Sequence, residues 1–191
     1  MSDYAFLGIA EAAELIRGRK LSPVEYTQAL LARIEKLDKR FHAFIRLMPE
    51  RALEDARKAE QEVMAGKIRG ILHGVPYGLK DIIDVAGVPT TGHSKVLIEN
   101  IATADAPVTT RLKDAGGVLL GKLATHEFAI GGPSFDLPWP PAVNPWGGNH
   151  SRAARRADRA WGWRQACSRR RSVRIRADRS ATRRPCAPLR A

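Results

Sequence analysis

The chain has 191 residues and a formal net charge of +12, enough for one domain or for an incomplete piece of a larger one. The charge is not spread evenly. Residues 151–191 hold 14 Arg, no Lys and only two acids, Asp158 and Asp178, whereas residues 1–150 hold 18 basic and 18 acidic residues and are formally neutral. Both cysteines, Cys167 and Cys186, lie in the same tail, which excludes a disulfide framework or a cysteine-based metal site from the first 150 residues. The N-terminus lacks a basic segment followed by a long apolar run, and nothing later approaches a membrane span, so the expectation is a cytoplasmic protein without a membrane partner.

Residues 7–18 mix Leu7, Ile9, Ala10, Ala12, Ala13, Leu15 and Ile16 with Glu11, Glu14 and Arg17, which predicts an amphipathic helix ended by Gly18. Ser22-Pro23-Val24-Glu25 has capping-box form, with Pro at the first helical position and Glu placed to reach back to the cap. Leu30, Leu31, Ile34 and Leu37 then fall at helical spacing, so a second helix is predicted from about Pro23 to Leu37. Phe41 to Leu47 alternates loosely, as a short strand does, and Glu50 to Gly66 reads as a third, mostly solvated helix with Leu53, Ala56, Ala59 and Val63 on its inner side. These helices read as scaffold packed on a sheet.

From Ile71 the texture changes to short apolar runs broken by Gly and Pro, as in the strands and tight connections of an α/β domain. One such run ends at Lys80, framed by Gly74, Pro76, Gly78, Gly87 and Gly92. Burial lowers a lysine's pKa and lets it act as a general base, so Lys80 is the candidate catalytic residue. Thr109 to Ala115, stopped by Gly116-Gly117 and followed by Val118 to Gly121, predicts a helix and then a buried strand. His73, His93 and His126 lack paired ligand spacing and read as structural or exposed rather than as a zinc site. Asp81 and Asp84 beside glycines suit turn and backbone-bonding roles better than an acid/base pair. Glu127 reads as a supporting residue, and Trp139 and Trp146, among prolines, as a packed loop at a site's rim.

Gly74-Val75-Pro76, Leu79-Lys80-Asp81, Asp84-Val85, Gly87 and Pro89-Thr90-Thr91-Gly92 together resemble the amidase signature family. The likeness continues in Ala115-Gly116-Gly117, Gly121-Lys122, Glu127-Phe128-Ala129 and Asn144-Pro145-Trp146. That family includes stand-alone amidases and the amide-hydrolysing component of tRNA-dependent amidotransferases. The resemblance covers roughly residues 5–146 and implies the N-terminal part of the family's α/β/α sandwich with a mixed sheet, truncated. It implies hydrolysis or transfer of a small-molecule carboxamide by a Ser-Ser-Lys triad, with no metal or organic cofactor. Lys80 corresponds to the family lysine, which deprotonates a bridging serine that in turn activates the nucleophilic serine; backbone N–H groups of a glycine-rich turn form the oxyanion hole.

The two serines belong in a G-G-S-S-[SG]-G-S segment and a D-T-G-G-S-[VI]-R segment, and neither is present. Ser172-Val173-Arg174 matches only the end of the second, with Arg169-Arg170-Arg171 where T-G-G is needed, and reads as coincidence. A shifted frame permits both, with Arg read as CGN wherever possible. Joining the third base of each codon to the first two of the next, from His150 onward, permits F-T-G-G-S-S-G-G-S-G-V-G-V-A-A-G-L, and from Ser172 permits G-T-D-T-G-G-S-V-R-N-P-A-A-L-C. The expectation is an incomplete amidase-signature domain over residues 1–150 and an out-of-frame, unstructured tail over 151–191, produced by a frameshift between Trp146 and Ser151. Such a chain keeps the lysine alone and is expected to be inactive and poorly soluble. The alternative reading of the tail, a nucleic-acid-binding segment using its arginines with Trp161 and Trp163, is disfavoured by the absence of Lys; adventitious binding through charge remains compatible with it.

Overall fold

In a computed structural model, residues 4–132 and 135–145 are described. The predictions for the tail, for both cysteines and for Trp146 lie outside these residues. The order of elements is α1 (Ile9–Arg17), α2 (Pro23–Phe41), β1 (Phe44–Leu47), α3 (Pro49–Met64), β2 (Pro76–Lys80), α4 (Pro107–Asp114) and β3 (Val118–Leu123), with single 3₁₀ turns at Tyr4–Phe6 and Glu127–Ala129.

Local chemistry sets the helix ends. α1 stops at Gly18, whose N–H reaches back to the carbonyl of Glu14. At the head of α2, Ser22 Oγ accepts from the N–H groups of Val24 and Glu25, both at 3.1 Å, and satisfies two of the turn's free donors. The expected second half of the capping box is replaced: the Glu25 carboxylate accepts from the Tyr4 hydroxyl at 3.1 Å, because the 3₁₀ turn before α1 folds back onto α2. That helix runs one turn beyond the predicted Leu37. It ends where His42 turns left-handed at φ 50° and Asp38 Oδ1 takes the N–H of Ala43 at 2.6 Å, aiming the chain into β1.

The sheet order is β1-β3-β2, with β3 antiparallel to β1 and parallel to β2. All six residues of β3 are buried, as expected of a strand covered on both faces. On one face Val118 and Leu120 meet Ile34, Ala52 and Ala56, with Leu30, Leu31, Phe44 and Leu47 around them. α3, with its charged side outward, presents Ala52, Ala56, Ala59 and Val63 inward, and the small side chains bring its backbone close to α2 and the sheet. α1 and the start of α2 continue this layer through Ala12, Ala13, Ile16, Leu21 and Tyr26, joined by Val63 and Val75. On the other face Tyr77, Leu79 and Leu119 meet Val85, Val88, Ile83 and Leu112, supplied by the β2–β3 connection and α4. The result is the helix, mixed-sheet, helix layering expected from the sequence.

Gly121 decides how closely β1 approaches β3. A Cβ there would lie 2.2 Å from the Arg46 carbonyl oxygen, beside the irregularity in register between Phe44 and Arg46. Gly121→Ala is expected to cost about 2 kcal/mol or more by forcing the strands apart. Gly70→Ala, where nothing stands within 4 Å, is the control, expected within about 0.5 kcal/mol of the parent by denaturant unfolding. Alkali is the second test. Burial, with Glu11 nearby, pushes the Tyr26 phenol up to about 12, and burial raises Tyr77 too. Because the folded value lies above the unfolded one, this contribution is intact below pH ~10 and is lost as pH rises toward ~12. A pH titration of the unfolding midpoint should fall across that window, and Tyr26→Phe should flatten the fall.

Candidate functional site

β2 delivers Lys80 to its C-terminal end, half-buried. In the parallel ladder Leu79 pairs with Lys122 and Lys80 with Leu123. Since side chains alternate along a strand and paired residues share a face, Lys80 and Lys122 project to opposite faces of the sheet. The ladder continues one step further through the Asp81 N–H, which donates to the Leu123 carbonyl at 3.1 Å.

The chain then makes a long excursion and returns to the same place. Ile83 N–H closes a turn onto the Lys80 carbonyl at 3.0 Å, and Gly92 N–H comes back to the Asp81 carbonyl at 2.8 Å. The returning segment is held on its far side by Asn100, whose backbone carbonyl accepts from Thr90 N–H and whose side-chain amide donates to the Thr90 carbonyl, both at 2.9 Å. Gly92, at φ +58°, passes the chain on in a conformation side chains rarely adopt, and its carbonyl accepts from Phe128 N–H at 2.8 Å.

Inside this loop sits a buried polar cluster. Lys122 is 0% exposed and Asp81 1%. The ammonium lies 3.1 Å from Asp81 Oδ1, an ion-pair contact rather than an aligned hydrogen bond, and donates to Thr90 Oγ1 at 2.9 Å. Asp81 Oδ2 accepts from Thr91 N–H at 3.0 Å and from the Thr91 hydroxyl at 2.5 Å. Burial pulls the Lys122 amine below the usual lysine range, with the Asp81 carboxylate opposing it.

Beyond the cluster, Ser94 donates to Glu127 Oε1 at 2.7 Å, so Glu127 braces the loop from the far end of β3. The His93 Nδ1 accepts from Thr125 N–H at 3.3 Å, leaving Nε2–H to donate to the Trp139 carbonyl at 3.1 Å; the two rings meet edge to face. Trp139 therefore packs against the loop, as its sequence setting suggested. His73 is elsewhere, under Arg69 and 3.1 Å from Glu62, and His126 faces the Gly131 carbonyl at 3.0 Å. The three histidines keep separate partners, and no group of three metal-binding side chains occurs among the described residues. Phe128 and Ala129 are both left-handed, at φ 49° and 59°, a local strain of the kind that collects near functional sites.

Of the residues singled out from sequence, Asp81 and the Thr90–Gly92 segment are brought together; Lys80, next to Asp81 in the chain, projects to the opposite face of the sheet, and Glu127, His93 and Trp139 lie beyond the cluster. Asp84 is not part of the cluster: its side chain is exposed and its carbonyl accepts from Thr109 Oγ1 at 2.6 Å. An open depression lined by Asp84 and residues 100–107 does not include Lys80. Sequence reading missed the role of Lys122, although a lysine so close behind the apolar run Val118–Leu120 already pointed to a buried carboxylate. Thr91→Val removes a donor to Asp81 and is expected to destabilise the fold by about 1–3 kcal/mol, read as a lowered denaturation midpoint with the slope unchanged.

The family model described as "Amidase" matches residues 25–153. Over 146 residues the chain is 44% identical to a glutamyl-tRNA(Gln) amidotransferase component of Streptomyces coelicolor, covering 76% of this chain and 29% of that protein. The solved structure of peptide amidase from Stenotrophomonas maltophilia superposes with a TM-score of 0.71 at 34% identity, over 78% of this chain and 32% of that one. A bacterial aryl acylamidase of the amidase signature family gives a TM-score of 0.70 at 25% identity, over 76% and 31%. The chain thus spans less than a third of the length of these relatives. The family match, the mixed sheet and the likeness to these solved enzymes agree: the chain belongs to the amidase family, of which it carries the N-terminal part.

Proposed function

We propose that the coding sequence beneath this chain specifies a hydrolase of small carboxamides in which Lys80 is the base of a Ser-Ser-Lys triad, and that the chain as translated is inactive. The observation that carries this reading is the coincidence of two boundaries. The family match ends at residue 153, where the Arg-rich composition begins and where codons for the amino acids present permit both serine segments, in order, in a frame shifted by one base.

In the restored protein the chemistry runs from Lys80 outward. Its neutral amine accepts a proton from the bridging serine, which takes one from the nucleophilic serine as that oxygen attacks the amide carbon. The glycine-rich turn donates to the developing oxyanion; the proton held on Lys80 returns through the bridging serine to the amide nitrogen, which leaves as ammonia, and water then releases the acyl group as a carboxylic acid. The likeness to an amidotransferase component supports a second reading, in which the same site passes the amide nitrogen to an acceptor instead of releasing it.

As translated, Lys80 has neither serine to act on. Residues 1–150 are an incomplete domain and 151–191 an out-of-frame tail. The surface around the loop is consistent with missing cover: Val96 is 81% exposed, Ile130 77% and Phe135 81%, apolar side chains that later strands would bury. The purified chain should accordingly self-associate, seen as polydispersity in light scattering.

Nucleotide sequencing across codons 140–191 and beyond tests the reading directly. The expected result is a long open frame encoding both serine segments once the frame after Trp146 is restored; without them the proposal fails. The restored protein should release ammonia from simple amides and lose about three orders of magnitude or more in kcat on Lys80→Ala. Ammonia release by the chain as translated, abolished by Lys80→Ala, would equally overturn it.

A further inference from the structure

We infer that the buried Asp81–Lys122 ion pair is a positioning device for Lys80, locking the strand end that carries the lysine to β3 and to the returning Pro89–Gly92 segment. The inference rests on the reading of Lys80 as the catalytic base and adds two residues to it.

Three segments meet at the pair. Asp81 follows Lys80 directly, Lys122 is the β3 partner of Leu79, and Thr90 and Thr91 supply the remaining polar partners. The backbone repeats the same joins: Asp81 N–H to Leu123, Gly92 N–H to the Asp81 carbonyl. Lys122 also reaches the Pro89 carbonyl at 3.5 Å. An apolar pair of equal volume would fill this space without the desolvation cost that two buried charges carry. It would not, however, select one register of loop against strand, because dispersion contacts have no direction.

The opposite faces matter here. Lys122 lies on the side of the sheet facing the β2–β3 connection, so its charge does not share the face on which Lys80 projects. Its effect on Lys80 is therefore transmitted through the backbone at residues 80 and 81. A catalytic base must be held within a fraction of an ångström of its proton donor, and a strand end is where a ladder would otherwise fray. The pair closes the ladder one residue past the lysine.

Two variants of the full chain test this, Lys122→Met and the doubly neutral Asp81→Asn/Lys122→Met. The readouts are amide hydrogen exchange resolved by residue and the rate at which an amine-acylating ester modifies Lys80, followed by peptide mass spectrometry. Both variants should exchange Thr91 and Gly92 amides faster by about tenfold or more, with the β1–β3 amides at Arg46 and Leu47 unchanged. Lys80 acylation should change by about threefold or more. The double variant should regain the parent's melting temperature without regaining slow exchange, which a merely structural pair would recover. Parent-like exchange and acylation in a folded variant overturn the inference. Should neither variant fold, Thr90→Val, which keeps both charges, decides by the same two readouts.

In the frame-restored enzyme Lys122→Met should lower kcat with KM unchanged. Activity that survives Lys80→Ala there removes the amidase reading while leaving the exchange result standing.

Discussion

A lysine ammonium without solvent contact has to be matched by an anion and by oxygen acceptors, and in this protein that requirement organises everything around the sheet's C-terminal end. Lys122 finds Asp81 and Thr90; Asp81 in turn takes Thr91. These contacts turn a long excursion, residues 81–92, into a closed loop that starts and finishes at the same backbone carbonyl. Taking one member away leaves a buried charge without its counter-charge, at about 3–5 kcal/mol in such settings. The loop's conformation is thus tied to the stability of the sheet itself.

The layers on either side make that burial possible. Helices α1 to α3 cover one face with alanines and aliphatic side chains, while Val85, Val88 and α4 cover the other. Gly121 lets β1 come close enough to complete the ladder around β3. A strand sealed on both faces is the environment in which an ion pair is strong and directed, since the local dielectric is low. Lys80, the proposed base, lies at the margin of this dry region, half-buried at the end of β2, an outer strand of the described sheet.

Beyond that margin the described molecule is apolar and uncovered, around Val96, Ile130 and Phe135. The matched part of the chain covers 29% of one relative and 32% of another. In the sequence that follows, Arg, Ala and Ser dominate and no helical or strand period of apolar residues persists.

Much of this was legible in the residues alone. Helical spacing of Leu30, Ile34 and Leu37 and the Ser-Pro start located α2; Gly116-Gly117 before a wholly apolar run located β3; the glycines and prolines around Lys80 marked a strand end and pointed to the family. Such features are local, and local chemistry determines them: a cap, a turn, a period. What only the tertiary structure decided was pairing. That Glu25 serves Tyr4 rather than its own helix cap, that Asp81 belongs to Lys122 while Asp84 faces solvent, and that His93, Thr125 and Trp139 form one contact depend on segments 21 to 46 residues apart. No periodicity records which buried charge meets which, because that is fixed by strand register and by the space left between layers.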